Sequence, residues 1–249
     1  MSGHSKWATI KHKKGALDAK RGKIFTRLIK EITMAAKSGG GDPDSNPRLR
    51  TAVAAAKAEN MPADNIKRAI QRGTGELPGA TYEEVTFEGY GPGGVALLVD
   101  VTTDNRNRTV SEIRHVFTKN GGNLGEAGSV SWMFHKKGEI VVPKAAAKEE
   151  DLMNIVLENG GEDLRDDQEN WEITTDPGSY EGVLNAIKNA KIEVAHSQIG
   201  KVPQNYIKLE GPAAAQMIRL LEAIEDQDDV QNVYSNFDVD QKQLEEVAS

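Results

Sequence analysis

The chain has 249 residues, 38% of them apolar and 28% charged, which suits two or three domains with real cores and excludes a disordered chain. It contains no cysteine, which excludes a disulfide scaffold and any thiolate metal site. Met1-Ser2-Gly3-His4-Ser5-Lys6 lacks the apolar run of a secretory signal, and no stretch approaches the roughly 18 apolar residues of a membrane span, so a cytoplasmic protein is expected.

The formal net charge of −7 is unevenly distributed. Residues 1–72 hold ten Lys and six Arg against six acidic residues, a net +10, whereas the remainder holds 15 basic and 32 acidic residues, a net −17. A cationic module joined to an anionic body points to a polyanionic partner.

Residues 1–15 read as a basic arm containing Lys6, Trp7, Lys11, His12, Lys13 and Lys14. Trp7 suits either stacking on an exposed base or fastening the arm to the helices behind it. A helix is predicted over 16–37, with Phe25, Leu28, Ile29 and Ile32 at helical spacing on one face and Lys20, Lys23, Arg27 and Lys30 on the other. Asn46-Pro47 caps a second helix reaching about Glu59, with Arg48, Arg50 and Lys57 toward its flanks. A third helix over 63–72 buries Ile66, Ala69 and Ile70 and exposes Lys67, Arg68 and Arg72. The second and third helices have helix-turn-helix spacing. However, Ala63-Asp64-Asn65 opens the would-be recognition helix with an acid, which favours recognition of shape and phosphate over base reading.

Strands are predicted at 82–88 and 94–102, a helix at 106–119 and a strand at 129–135. A β-α-β-β-α-β set follows, with strands at 138–142, 162–166, 169–175 and 192–198 and helices at 145–158 and 178–190. A strand at 203–209, a helix at 212–226 and a strand at 230–237 close the chain. The expected fold is α+β and multi-domain: an N-terminal three-helix bundle followed by two ferredoxin-like α/β domains, one inserted in the other. The expected boundaries are 1–78 for the helical domain, 79–136 with 202–240 for the outer α/β domain, and 137–201 for the insert. Lys136-Lys137-Gly138 and Gly200-Lys201-Val202-Pro203 are the expected crossover points.

Gly89-Tyr90-Gly91-Pro92-Gly93-Gly94 has dinucleotide-loop spacing but precedes the strand-like Val95-Ala96-Leu97-Leu98-Val99, so it reads as a hairpin turn. The five His lack metal-ligand spacing, and Glu162-Asp163-Leu164-Arg165-Asp166-Asp167 reads as a solvated acidic turn. Asn107-Arg108-Thr109 matches a glycosylation sequon that a cytoplasmic chain does not use. Thr102-Thr103-Asp104-Asn105-Arg106-Asn107-Arg108-Thr109 joins a strand to a helix start. It suits either a plain cap by Asn105 or Asn107, or a second phosphate contact through Arg106 and Arg108, extended by Arg114.

Ordered blocks from residue 3 to about 238 resemble the YebC family. They include Gly3-His4-Ser5-Lys6-Trp7, Ile10-Lys11-His12-Lys13-Lys14, Asp18-x-Lys20-Arg21, Gly40-Gly41-Asp42-Pro43 and Asn46-Pro47-Arg48-Leu49-Arg50. Asn60-Met61-Pro62, Asn65-Ile66, Glu88-Gly89-Tyr90-Gly91-Pro92-Gly93-Gly94, Thr103-Asp104-Asn105-Arg106-Asn107-Arg108-Thr109 and Gly128-Ser129-Val130-Ser131-Trp132-Met133-Phe134 continue the match. The resemblance implies three domains, no enzymatic activity and no catalytic residues. It also implies a regulator of gene expression, described in that family either as a DNA-binding transcriptional regulator or as a ribosome-associated translation factor acting at difficult stretches such as consecutive prolines. Mitochondrial relatives activate translation of a respiratory-chain subunit.

The expected contacts to nucleic acid, DNA or ribosomal RNA, are Lys6, Trp7, Lys11, His12, Lys13, Lys14, Lys20, Arg21, Lys23, Arg27, Lys30, Arg48, Arg50, Arg106 and Arg108. The ribosome is a further expected partner. No cofactor, metal, membrane or small-molecule substrate is expected, and a monomer is favoured.

Overall fold

A computed structural model describes residues 19–167 and 169–240. Three helices come first: α1 (Ala19–Gly39), α2 (Pro47–Ala58) and α3 (Ala63–Gly73). Asn46 joins the first two. Its Oδ1 accepts the Leu49 N–H at 3.1 Å, capping α2, while its Nδ2 donates to the carbonyls of Ala35 and Gly40 at 2.8 and 2.9 Å. Ile32, Ala35, Leu49, Ala56, Ile66 and Ala69 form the bundle core. Its small side chains let the helices approach closely, and Gly73 abuts the Thr33 carbonyl and the Ala36 methyl so closely that a Cβ there would collide with both.

The chain then enters a first antiparallel sheet of order β3-β1-β2-β9, made of β1 (Glu83–Tyr90), β2 (Ala96–Thr103), β3 (Asn123–Leu124) and β9 (Val230–Ser235). The glycine-rich segment is the β1–β2 hairpin turn, pairing Tyr90 with Ala96. Helices α4 (Arg106–Lys119) and α7 (Gly211–Glu225) cover one face over Leu97, Val99, Val101, Ile113, Phe117, Met217 and Leu221. The opposite face of β2 is also covered at one end, where Ala96 and Leu98 meet Val130 and Phe134. Burial on both faces explains why this strand reads as an unbroken apolar run.

Between β3 and β9 lies a second sheet of order β5-β6-β4-β7: β4 (Phe134–Pro143), β5 (Gly161–Asp167), β6 (Asn170–Thr175) and β7 (His196–Pro203), all neighbours antiparallel. Helices α5 (Glu149–Glu158) and α6 (Tyr180–Asn189) cover it over Ile140, Leu152, Val156, Ile173, Val183 and Ile187. A short parallel pair, β8 (Ile207–Lys208) with β10 (Phe237–Asp238), closes the fold.

The fold is thus α+β, with a helical N-terminal region followed by α/β domains. Three details depart from the sequence reading. No separate strand spans 129–135: Ser131–Met133 is a 3₁₀ turn, and β4 runs continuously from Phe134 to Pro143. The expected crossover residues are ladder residues, because β4 and β7 pair with each other from Phe134↔Pro203 to Val141↔His196. The two lobes are therefore joined by a paired two-stranded ribbon. Finally, Glu162–Asp167 lies in β5 and is no solvated turn: Asp167 is buried, Glu162 pairs with Lys137, and Asp166 pairs with Lys144.

Candidate nucleic-acid interface

Lys23, Arg27 and Lys30 of the α1 stripe face the body of the protein. Lys23 donates to the Asp226 carbonyl and carboxylate, both at 3.1 Å; Arg27 donates to the Glu225 carbonyl; Lys30 donates to the Asp228 carbonyl at 2.8 Å and to Asp229 Oδ1 at 2.7 Å. These acceptors lie at and just beyond the C-terminus of α7. A helix end exposes unpaired carbonyls and the negative pole of its dipole, and here carboxylates add to that negative charge. The α1 cations satisfy both. Burial holds the Arg27 guanidinium below its ordinary pKa despite the neighbouring Glu225, Asp226 and Asp228. Lys30 is 6% exposed, so Lys30 in particular is closed to phosphate.

Asp229 is the hub of this contact. Besides Lys30, its carboxylate accepts Arg108 at 2.8 Å, Thr109 Oγ1 at 2.6 Å and Thr103 Oγ1 at 3.1 Å. Burial raises its pKa, but the hydrogen bonds from Lys30, Thr109 and Arg108 outweigh this and hold the carboxylate well below its ordinary range. Arg108 also bonds Asp104 at 3.0 Å. Asn105 caps α4 by accepting the Arg108 N–H at 3.1 Å, so the Thr102–Thr109 segment is a helix cap whose arginine ties the start of α4 to Asp229 within the same lobe. Arg106 stays exposed.

Arg48 bridges Glu31 and Glu84, which raises its pKa further, chiefly through the Glu31 and Glu84 hydrogen bonds. Arg50 is exposed and, among the described residues, reaches the carbonyls of Pro43 and Asp44, at 3.4 and 3.3 Å. Lys20 and Arg21 lie in the first turn of α1. Lys6, Trp7, Lys11, His12, Lys13 and Lys14 lie outside the described residues.

Four cations outside the expected contact set also stay open. Lys67, Arg68 and Arg72 on α3 and Lys57 on α2 are exposed, and among the described residues none has an ion-pair partner. At 100° per residue, Lys67, Arg68 and Arg72 occupy the face of α3 opposite buried Ile66 and Ala69. Their signal is present in the primary structure, since an amphipathic helix with cations opposite its core presents them to solvent. It is Asp64 that shares this face and breaks its uniform sign. Among the described residues no group of His, Asp and Glu is arranged to hold a metal ion, and no helix is long and apolar enough to cross a membrane.

Residues 5–76 match the N-terminal domain of TACO1/YebC proteins, and residues 82–237 match the TACO1/YebC second and third domain. The chain belongs to the TACO1/YebC family. A probable transcriptional regulatory protein of Koribacter versatilis is 77% identical over 248 residues, covering 100% of both chains. A probable transcriptional regulatory protein of Acidobacterium capsulatum is 72% identical over 248 residues, again with 100% coverage of both. The crystal structure of a conserved hypothetical protein, Aq1575, from Aquifex aeolicus is 47% identical and superposes with a TM-score of 0.78, covering 90% of this chain and 92% of that one.

Proposed function

We propose that this chain is a non-enzymatic, nucleic-acid-binding regulator of gene expression, and that its target is duplex DNA in the manner of a transcriptional regulator. The observation that carries the reading is a set of exposed cations on α2 and α3 that have no ion-pair partner among the described residues. Lys57, Lys67, Arg68 and Arg72 offer charge to a phosphate backbone, and exposed Arg50 on α2 adds a further cation with no carboxylate partner among the described residues. The basic arm with Lys6, Lys11, His12, Lys13 and Lys14, together with Lys20 and Arg21, extends this set by sequence. The names of the two relatives above support the transcriptional form. Lys23, Arg27, Lys30, Arg48 and Arg108 each hold an intramolecular carboxylate or carbonyl, so we leave them out of the proposed contact set and keep Arg106 as an accessory.

A second reading, an RNA-binding factor that associates with the ribosome, is favoured by one observation. The exposed cations suit phosphate rather than base edges, and the first turn of α3 carries Asp64 where a recognition helix reads bases.

The test is the salt dependence of binding by the full chain to a labelled DNA duplex and to labelled ribosomal RNA fragments. The logarithm of the binding constant is expected to fall linearly with the logarithm of salt. Reversing Lys67, Arg68 and Arg72 to Glu is expected to lower the slope by about 0.9 for each phosphate that the protein no longer neutralises. A flat salt response removes the reading, and the tighter of the two probes chooses between DNA and RNA.

A further inference from the structure

The segment Gly128-Ser129-Val130-Ser131-Trp132-Met133-Phe134 is not used by the cationic surface, and its geometry is unusual for a loop. Glu88 of β1, 7% exposed, points its carboxylate into the segment. It accepts the N–H groups of Gly128, Val130 and Ser131 at 2.7, 2.7 and 2.8 Å. Burial raises the Glu88 pKa, but those three backbone donors prevail and hold it below the ordinary carboxylate range. The Ser129 carbonyl accepts the Tyr90 hydroxyl at 3.1 Å and the Trp132 indole Nε1–H at 3.2 Å. Val130 and Phe134 are buried on either side. The loop is thus pinned from below, at both ends and through the indole itself.

Trp132 nevertheless remains 65% exposed. A large apolar ring gains roughly 2–3 kcal/mol from burial, and here it is rigidly held away from that gain. Along the chain it is followed by exposed polar and basic residues. Glu126 is the one acid between Gly125 and Lys137, His135 and Lys136 are exposed, and Lys136 has no ion-pair partner among the described residues. An exposed aromatic ring held in place, with a lysine four residues along the chain, suits single-stranded nucleic acid, which binds through base stacking on aromatic rings together with positive charge for the phosphates. Fixing the ring in advance removes most of the ordering cost of stacking.

We propose that Trp132 is a stacking platform for an unpaired base of the bound nucleic acid. This rests on the nucleic-acid reading above in its second, RNA-binding form and adds to it: the body supplies a contact for an unstacked nucleotide, while the helical bundle holds the backbone.

The experiment compares the full chain with W132A, W132F and K67E/R68E/R72E. Binding is measured by anisotropy to a blunt duplex, to a hairpin with an unpaired loop and to a single strand. Far-ultraviolet dichroism confirms that the variants are folded. W132A is expected to weaken binding to the hairpin and the single strand by about tenfold or more, leave the blunt duplex within about twofold, and be rescued largely by W132F. Unchanged binding of W132A to all three probes, with K67E/R68E/R72E still weakened, overturns the stacking proposal and leaves the nucleic-acid reading standing. Equal loss on all probes overturns it too. If the unmodified chain binds none of the probes, the nucleic-acid reading falls and the stacking proposal falls with it.

Discussion

Lys30 of α1 and Asp229, just before β9, meet at 2.7 Å with only 7% and 8% of their side chains exposed. This ion pair is the buried centre of the contact that fixes the helical bundle on the α/β body. It is completed by Arg108, Thr103 and Thr109, which occupy the remaining acceptor positions of the same carboxylate. Removing one member of such a pair leaves the other charged and desolvated. Asp229→Ala is therefore expected to lower the unfolding free energy by about 3 kcal/mol, with Asp229→Asn in between because it keeps some hydrogen bonds. Urea unfolding of the full chain measures both. A loss below the spread of ordinary surface variants contradicts the structural role.

The same carboxylate sets an acid limit. Its folded pKa is depressed below the unfolded value, so the stability it supplies is complete above the ordinary carboxylate pKa and is lost as pH falls through the folded one. The difference in melting temperature between the unmodified chain and Asp229→Asn is expected to be constant from pH 8 down to about 5 and to shrink below about 4. A difference that instead grows on acidification would reverse the sign of the linkage.

Glu172 shows the opposite behaviour. Burial, and then the field of Glu139 across the sheet, push its carboxyl up to about 7, and both residues are nearly inaccessible. A carboxyl with a raised folded pKa loses stability as pH climbs from its unfolded value through the folded one. Glu172→Gln is expected to melt higher than the unmodified chain at pH 8 and equally near pH 4. Thermal melts across that range test it, and equal melting points at pH 8 count against it.

The two sets of cations should respond differently to charge reversal. K67E/R68E/R72E alters exposed positions without ion-pair partners and is expected to change stability by only about 0.5 kcal/mol while weakening nucleic-acid binding. Lys30→Glu places two carboxylates in a nearly dry contact and is expected to destabilise the chain by several-fold more. Parallel unfolding and binding titrations separate surface from interior. Comparable stability losses in both variants would refute the division.

Much of the fold is legible in the primary structure because its signals are local. Asn46-Pro47, Asn60-Met61-Pro62 and the glycines at 39–41 and 73 punctuate the helices, and the 3.6-residue spacing of Phe25, Leu28, Ile29 and Ile32 identifies the buried face of α1. The β-α-β-β-α-β order of the second lobe follows from alternating periodicities. The crossover residues mislead because Lys136-Lys137-Gly138 and Gly200-Lys201 look like linkers, whereas each is the other's partner in the ladder. A polar, glycine-containing stretch forms a strand when a second such stretch, about 60 residues away, lies ready to pair with it.

The order of elements, the charge split between a cationic head and an anionic body, and the apolar face of each bundle helix can all be read from the residues alone. Which cations remain open to a partner is settled only when the lobes come together. Lys23, Arg27 and Lys30 look like a phosphate-binding stripe until residues 198–203 positions away supply their acceptors. Helical periodicity reports how a side chain points relative to its own helix. Whether the polar face meets solvent or the C-terminus of another helix depends on how the lobes dock, and that contact is set by charges far apart in the chain.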